Sequence, residues 1–142
     1  MPVGYQGTIN YRVHDSYLDG TAFNAYTQFG EDGLIKAVFD RIGTYNKWCF
    51  EVGASDGLFF SNTLRLRERG WSAVLMEAND LEYAKLKEYS SETVLCMHGK
   101  VACLDEVLSG SLIPVDLDLG VIDIDGQDYW LWNDMLRYKP RV

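Results

Sequence analysis

Basic residues are the minority in this 142-residue chain: 13 Lys and Arg stand against 21 Asp and Glu, a formal charge of −8. Proteins held mainly by phosphate contacts carry a basic face, so no nucleic-acid partner is expected. Cysteine is sparse and odd in number, and Cys49, Cys96 and Cys103 show no Cys-x-x-Cys spacing. Two of them sit in apolar runs that read as buried strands, which predicts reduced core thiols in a cytoplasmic protein. No apolar run approaches the roughly 20 residues that cross a bilayer, and residues 1–10 lack both a basic and an apolar leader stretch. No membrane partner and no sorting signal are expected. Internal repeats and low-complexity segments are also missing.

What is present is enough for one core, since 47% of the residues are hydrophobic and the length suits a single domain. Residues 1–23 scatter Tyr5, Tyr11 and Tyr17 among Gly, Asp and Asn without a sustained period, which predicts an irregular arm that needs a surface to lie on. Residues 24–142 then read as one domain. Leu34, Ile35, Val38, Phe39 and Ile42 fall at helical spacing behind Glu31 and Asp32, and Gly43 supplies the stop. Strands are predicted at 48–52, 73–77, 93–97 and 119–124. Helices are predicted at 62–69, 81–89, around Leu104 to Leu108, and at 127–137. Short continuous apolar strands separated by helices indicate an open α/β fold, with a mostly parallel sheet buried on both faces. If the sheet has only these four strands, an apolar edge is left unpaired, and a homodimer through that edge is one way to cover it.

Chemistry concentrates at three strand ends. Gly53-Ala54-Ser55-Asp56-Gly57 follows the first strand, and its terminal glycines allow a tight turn and close ligand approach. The spacing is Gly-x-x-x-Gly, not Gly-x-Gly-x-x-Gly, which favours a ligand without phosphates over a pyrophosphate. The same loop could be a plain tight turn, and Asp56 could cap the next helix or hold an ammonium group. Glu77 ends the second strand, where an acid can accept hydrogen bonds from both hydroxyls of a ribose, or stand exposed as a cap before Asn79-Asp80. Asp123-Ile124-Asp125-Gly126-Gln127-Asp128-Tyr129 ends the fourth strand. Alternation would put Asp123 and Asp125 on one side of an extended chain. A divalent metal site, an acid that binds or deprotonates a substrate, and a helix cap compete for them. Two buried acids so placed repel, so something positive is expected between them.

In order and spacing these residues resemble the class I, Rossmann-like S-adenosylmethionine-dependent methyltransferases, most closely the FkbM-like branch. The likeness runs from Tyr26 to Val142. It rests on Gln28-Phe29-Gly30-Glu31-Asp32-Gly33, Glu51-Val52-Gly53-Ala54-Ser55-Asp56-Gly57, Ser61-Asn62-Thr63, Gly70-Trp71 before Glu77, and Asp123 to Trp130. The resemblance implies S-adenosylmethionine across the carboxyl ends of strands one and two, with Gly53 and Ser55 under its methionine part and Ala54 and Asp56 in the same loop. Glu77 would bind the ribose, Ala78 and Gly99-Lys100-Val101 would flank adenine, and Asp123 would face the methionine amino group. Gln28 and Asn62 would add polar contacts. The family is similar in having seven strands in the order 3-2-1-4-5-7-6, whereas four are read here, in the expected order 3-2-1-4. The chain is thus expected to be a truncated Rossmann-like methyltransferase, or its cofactor-binding half, without the strands that usually shape the acceptor pocket.

The reaction implied is in-line attack by an oxygen or nitrogen nucleophile of a small-molecule or sugar acceptor on a sulfonium methyl, which requires alignment rather than a metal. Asp125 is the expected general base, ahead of Asp128. His98 is a further candidate base, although a histidine at a strand end is more often structural. One rival is a domain that binds the cofactor, or keeps only its fold, without turnover. Another is a nucleotide-sugar transferase that uses Asp123 and Asp125 as a metal-bound pair.

Overall fold

The computed structural model describes residues 16–142. Tyr5, Tyr11 and most of the expected arm lie outside the described residues. Four strands, β1 (Trp48–Val52), β2 (Ser72–Glu77), β3 (Val94–His98) and β4 (Leu119–Ile122), form one parallel sheet in the order β3-β2-β1-β4. This is the expected α/β sheet and the expected strand order. Helices α1 (Glu31–Ile42), α2 (Leu64–Arg67), α3 (Asp80–Leu86), α4 (Leu104–Ser109) and α5 (Asp128–Asn133) occupy the connections and both ends of the alternation.

Side chains alternate across each strand, and both faces are covered. Cys49, Ala73, Leu75, Val94, Cys96 and Leu119 meet Phe39 of α1, Leu66 of α2 and Leu86 of α3. Phe50, Val52, Val74 and Met76 point the other way, to Leu104 and Leu108 of α4 and to Leu131, Met135 and Tyr138. Each fully buried Leu, Phe or Met side chain contributes roughly 1.5–3 kcal/mol. Two layers on one sheet explain why the strands read as short, mostly apolar runs, with Glu51 the exception inside β1. All three thiols are free, and burial pushes those of Cys49 and Cys96 up, so they stay protonated. Among the described residues no helix is long and apolar enough to cross a membrane.

Three aspartates anchor backbone, each accepting from three successive N–H groups. Asp32 takes Ala25, Tyr26 and Thr27 at 2.8, 2.8 and 3.0 Å. Asp118, with a fully buried side chain, takes Tyr45, Asn46 and Lys47 at 2.9, 2.9 and 2.8 Å. Asp105 takes Leu136, Arg137 and Tyr138 at 2.9, 2.8 and 3.2 Å. In all three, burial raises the carboxyl pKa, and the backbone donors, joined at Asp118 by Arg141, outweigh it and hold the pKa below its ordinary value. Ahead of α1, the chain lies along that helix. Gly33 donates to the Phe23 carbonyl at 3.0 Å, and a Cβ at Gly33 would overlap the carbonyl oxygen of Thr21. Arg41 sits 4.8 Å over the Tyr17 ring and Arg65 4.5 Å over Phe23.

The structure corrects several boundaries. The helix expected at 62–69 is only Leu64–Arg67, because Asn62 N–H and the Ser61 and Thr63 hydroxyls bond to Glu51. The helix expected at 127–137 ends at Asn133, because Asp105 captures the next backbone donors. The strand expected to reach Ile124 stops at Ile122, where Ile124 N–H turns to Asp128 Oδ1 at 2.8 Å. Nor is the outer edge of β4 bare. Lys139, Arg141 and Val142 donate to Val115, Leu117 and Asp118, and Gly120 donates to Val142. Arg141 locks this segment through a 2.7 Å bond to Asp118 Oδ1. Both β3 and β4 are edges of the sheet, and among the described residues β3 is the one along which no other segment runs.

Candidate functional site

The loops that follow the four strands meet at the carboxyl end of the sheet. There they form a cleft of about 280 Å³, lined by residues from all four strand ends. β1 contributes Gly53, β2 contributes Glu77 and Ala78, β3 contributes Lys100 and Val101, and β4 contributes Asp125. In open α/β sheets ligands bind at this end, near the point where strand order reverses. Here the order reverses between β1 and β4.

The turn after β1 is built by backbone. Gly53 and Ala54 both donate to the Met76 carbonyl, at 2.9 and 3.0 Å. Ser55 donates to Glu77 Oε2 at 2.7 Å, and Asn79 donates to Glu77 Oε1 at 2.7 Å. Gly53 has φ +82, and a Cβ there would overlap the carbonyl oxygen of Asp123. Glycine is thus required to let the β1 and β4 loops touch. Because the three N–H groups of residues 53–55 are all engaged within the protein, they do not form a phosphate cradle. Each Glu77 oxygen already accepts one bond and keeps a further lone pair for a ligand.

The remaining expected residues divide between positions. Asp123 and Asn62 line a second recess with Glu31, Leu34 and Ile35. Ala54 is 2% exposed and packs into the core on the α1–α3 face, so its side chain does not enter the cleft. Asp56 caps its own turn, accepting from Phe59 at 2.8 Å and Leu58 at 2.9 Å. The Phe59 bond leads in holding its pKa low. Gln28 is exposed in the turn before α1 and lines neither recess. His98 Nε2 lies 2.9 Å from Asp80 Oδ1, and its ring stacks on Tyr83 at 4.6 Å. It does not line the cleft.

Asp123 and Asp125 are not the buried, same-side pair that alternation suggested. Both are exposed, β4 has ended before them, and Asp125 has a left-handed φ of +56. They open into different recesses. Among the described residues no group of three or more His, Cys, Asp or Glu side chains gathers as a metal site. The capping role expected of these acids is not made either, since the N-cap of α5 is Gln127 without a side-chain bond; Asp128 instead holds the loop before the helix, accepting from Ile124 at 2.8 Å and from Gly126 at 3.1 Å. The Ile124 bond leads in lowering its pKa.

One important residue stood in the motif without a role assigned to it. Glu51 is 2% exposed in the middle of the sheet. Its carboxylate accepts from Thr63 Oγ1 at 2.6 Å, Ser61 Oγ at 2.8 Å and Asn62 N at 2.8 Å. Burial pushes its pKa up against these bonds. The network fixes the backbone of Asn62 and hence one wall of the Asp123 recess. An acid inside an apolar strand, with Ser-x-Thr ten residues later, was the available signal. Comparison with known proteins finds no matching family model, curated protein or solved structure.

Proposed function

We propose that the Glu77 cleft binds S-adenosylmethionine and that the chain is a methyltransferase acting on a hydroxyl of a small molecule or sugar. The observation that carries the reading is the Glu77 carboxylate, fixed at the end of β2 by Ser55 N–H at 2.7 Å and bordering a cleft with apolar and polar walls. The fit follows from the donor set. A carboxylate with spare lone pairs suits a ribose diol. Ala78 and Val101 offer surface for a flat base. Glu77 and Asp125 line the cleft with Lys100 the one cation beside them among the described residues, which suits a cationic ligand better than a diphosphate. When bound, the cofactor supplies a methyl group on a positively charged sulfur.

The protein's own part is binding, alignment and proton removal. Glu77 holds the nucleoside end, and Asp123 with Asn62 offers polar contacts in the adjoining recess for the ammonium end. Asp125 accepts no hydrogen bond among the described residues and so is free to take the acceptor's hydroxyl proton. A homodimer formed by strand pairing would use β3, because residues 139–142 occupy the edge of β4.

The metal-dependent transferase reading is less well supported, since Asp123 and Asp125 line different recesses and the loop N–H groups are engaged. Equilibrium binding distinguishes the two. Saturable, metal-free binding of S-adenosylhomocysteine supports the methyltransferase reading, whereas binding of only a nucleoside diphosphate with manganese overturns it. Methyl-transfer screening then separates an enzyme from a binding domain without turnover.

A further inference from the structure

A second cavity lies between α1 and α2, on the face of the sheet opposite α4 and α5. It encloses about 300 Å³, and its lining combines apolar Phe39, Leu66 and Trp71 with cationic Lys36, Arg65 and Arg69. Three cations in one groove stand out on a chain of net charge −8. The acids beside them do not cancel this charge. Asp32 Oδ2 is taken by three backbone N–H groups and the Thr27 hydroxyl, leaving only Oδ1 without a donor among the described residues, and Asp40 pairs with Lys36, so Arg65 and Arg69 outnumber the one remaining acid. Among the described residues no carboxylate pairs with Arg65 or Arg69.

Arg65 carries the strongest indication. Its Nε is buried and has no hydrogen-bond partner among the described residues. Buried donors of this kind are rare in folded proteins and mark a place where a partner is missing. The guanidinium also lies 4.5 Å over the Phe23 ring, which restrains its plane, and its two Nη groups, which donate to nothing among the described residues, are left for an acceptor. Two coplanar oxygens match these groups. The apolar walls demand an apolar body attached to them.

We propose that the α1–α2 groove is a separate ligand site for a small carboxylic acid with an apolar body. Arg65 and Arg69 hold the carboxylate, and Phe39, Leu66 and Trp71 receive the body. The groove shares no lining residue with the Glu77 cleft, and shares Ile35 and Asn62 with the Asp123 recess.

The test is an NMR titration of the full chain with phenylacetate, following backbone amides and the Arg65 Nε–H signal. Saturable shifts confined to the groove, with a dissociation constant on the order of 1 mM, are expected for so small a ligand. Phenylacetamide and inorganic phosphate should bind at least about tenfold more weakly, being without the charge or the apolar body. Arg65→Lys keeps the charge and loses the planar fork, so it should weaken phenylacetate at least about fivefold. Arg69→Gln, at an exposed position, should weaken it as well and guards against a folding defect in the first variant. The proposal is overturned if phenylacetate gives no saturable shift in the groove, or if the amide or phosphate binds as tightly. It is equally overturned if both variants leave affinity within about twofold of the parent.

Discussion

The backbone N–H of Ser55 donates to Glu77 Oε2 at 2.7 Å, so the turn after β1 and the acid that ends β2 form one unit. Ser55 itself sits at φ +51, a left-handed conformation that needs support from its surroundings. The neighbouring donors, Gly53 and Ala54, converge on Met76 O. A ligand that reaches Glu77 therefore meets a pre-set acceptor, with the turn already in place.

The close approach at Gly53 gives the first prediction. Gly53→Ala must relieve both a φ of +82 and an overlap with the Asp123 carbonyl, at a cost of roughly 2–5 kcal/mol. Urea denaturation measures it. A loss below about 0.5 kcal/mol would mean that the β1 and β4 loops separate easily.

Asp118 and Arg141 should be the next most sensitive pair. The Asp118 side chain is fully buried, with Arg141 33% exposed, and Asp118 also holds three backbone N–H groups. Asp118→Ala strands those donors and should cost about 3 kcal/mol. Arg141→Lys keeps a cation and should cost about 1 kcal/mol. Equal losses in the two variants, measured by urea midpoint, would contradict this ranking.

The same carboxylates set a pH dependence of two signs. Asp32, Asp105 and Asp118 have folded pKa values lowered by their hydrogen-bond donors against burial. Their contribution is complete above the ordinary carboxylate value of about 4 and is lost as pH falls through the lowered values. Glu51 acts oppositely, because burial raises its folded pKa. Protonating it favours the folded state, so lowering pH from neutral toward about 4.3 adds stability from this group. The urea midpoint should rise modestly on acidification before it collapses below about pH 4. Glu51→Gln should remove the rise and leave the collapse, and a variant that retains the rise would refute the assignment.

Much of this was legible in the sequence, for local reasons. α1 begins at Glu31 and ends at Ile42 as read, since acids at its start and Gly43 after its end are signals within the segment itself. β1 matches too, because a central strand buried on both faces is one mostly apolar run. The boundaries that moved were set from a distance. α5 is cut short by Asp105, whose captured donors lie 31 to 33 residues away in sequence. α2 starts late because Glu51 draws on Ser61 to Thr63. Of the candidate residues, Gly53, Glu77, Ala78, Lys100, Val101 and Asp125 share the cleft because strand ends fix them. The same-side pairing expected of Asp123 and Asp125 fails because Asp128 bends the chain right after β4, and alternation no longer applies there.

Asp125 supplies a prediction about activity. Asparagine tolerates the left-handed backbone at this position, so Asp125→Asn should fold normally and bind S-adenosylhomocysteine within about twofold of the parent. Methyl transfer should fall by about 10²–10⁴, the usual contribution of a general base. Retained transfer with the asparagine variant would remove Asp125 from the mechanism.

The central claim is that Glu77 holds the nucleoside of S-adenosylmethionine, and calorimetry of S-adenosylhomocysteine binding to the parent chain and to Glu77→Gln tests it most directly. Metal-free binding to the parent, weakened at least about tenfold in the variant, equivalent to about 1.4 kcal/mol, is the predicted result. No binding to the parent, or equal affinity in both chains, would contradict it.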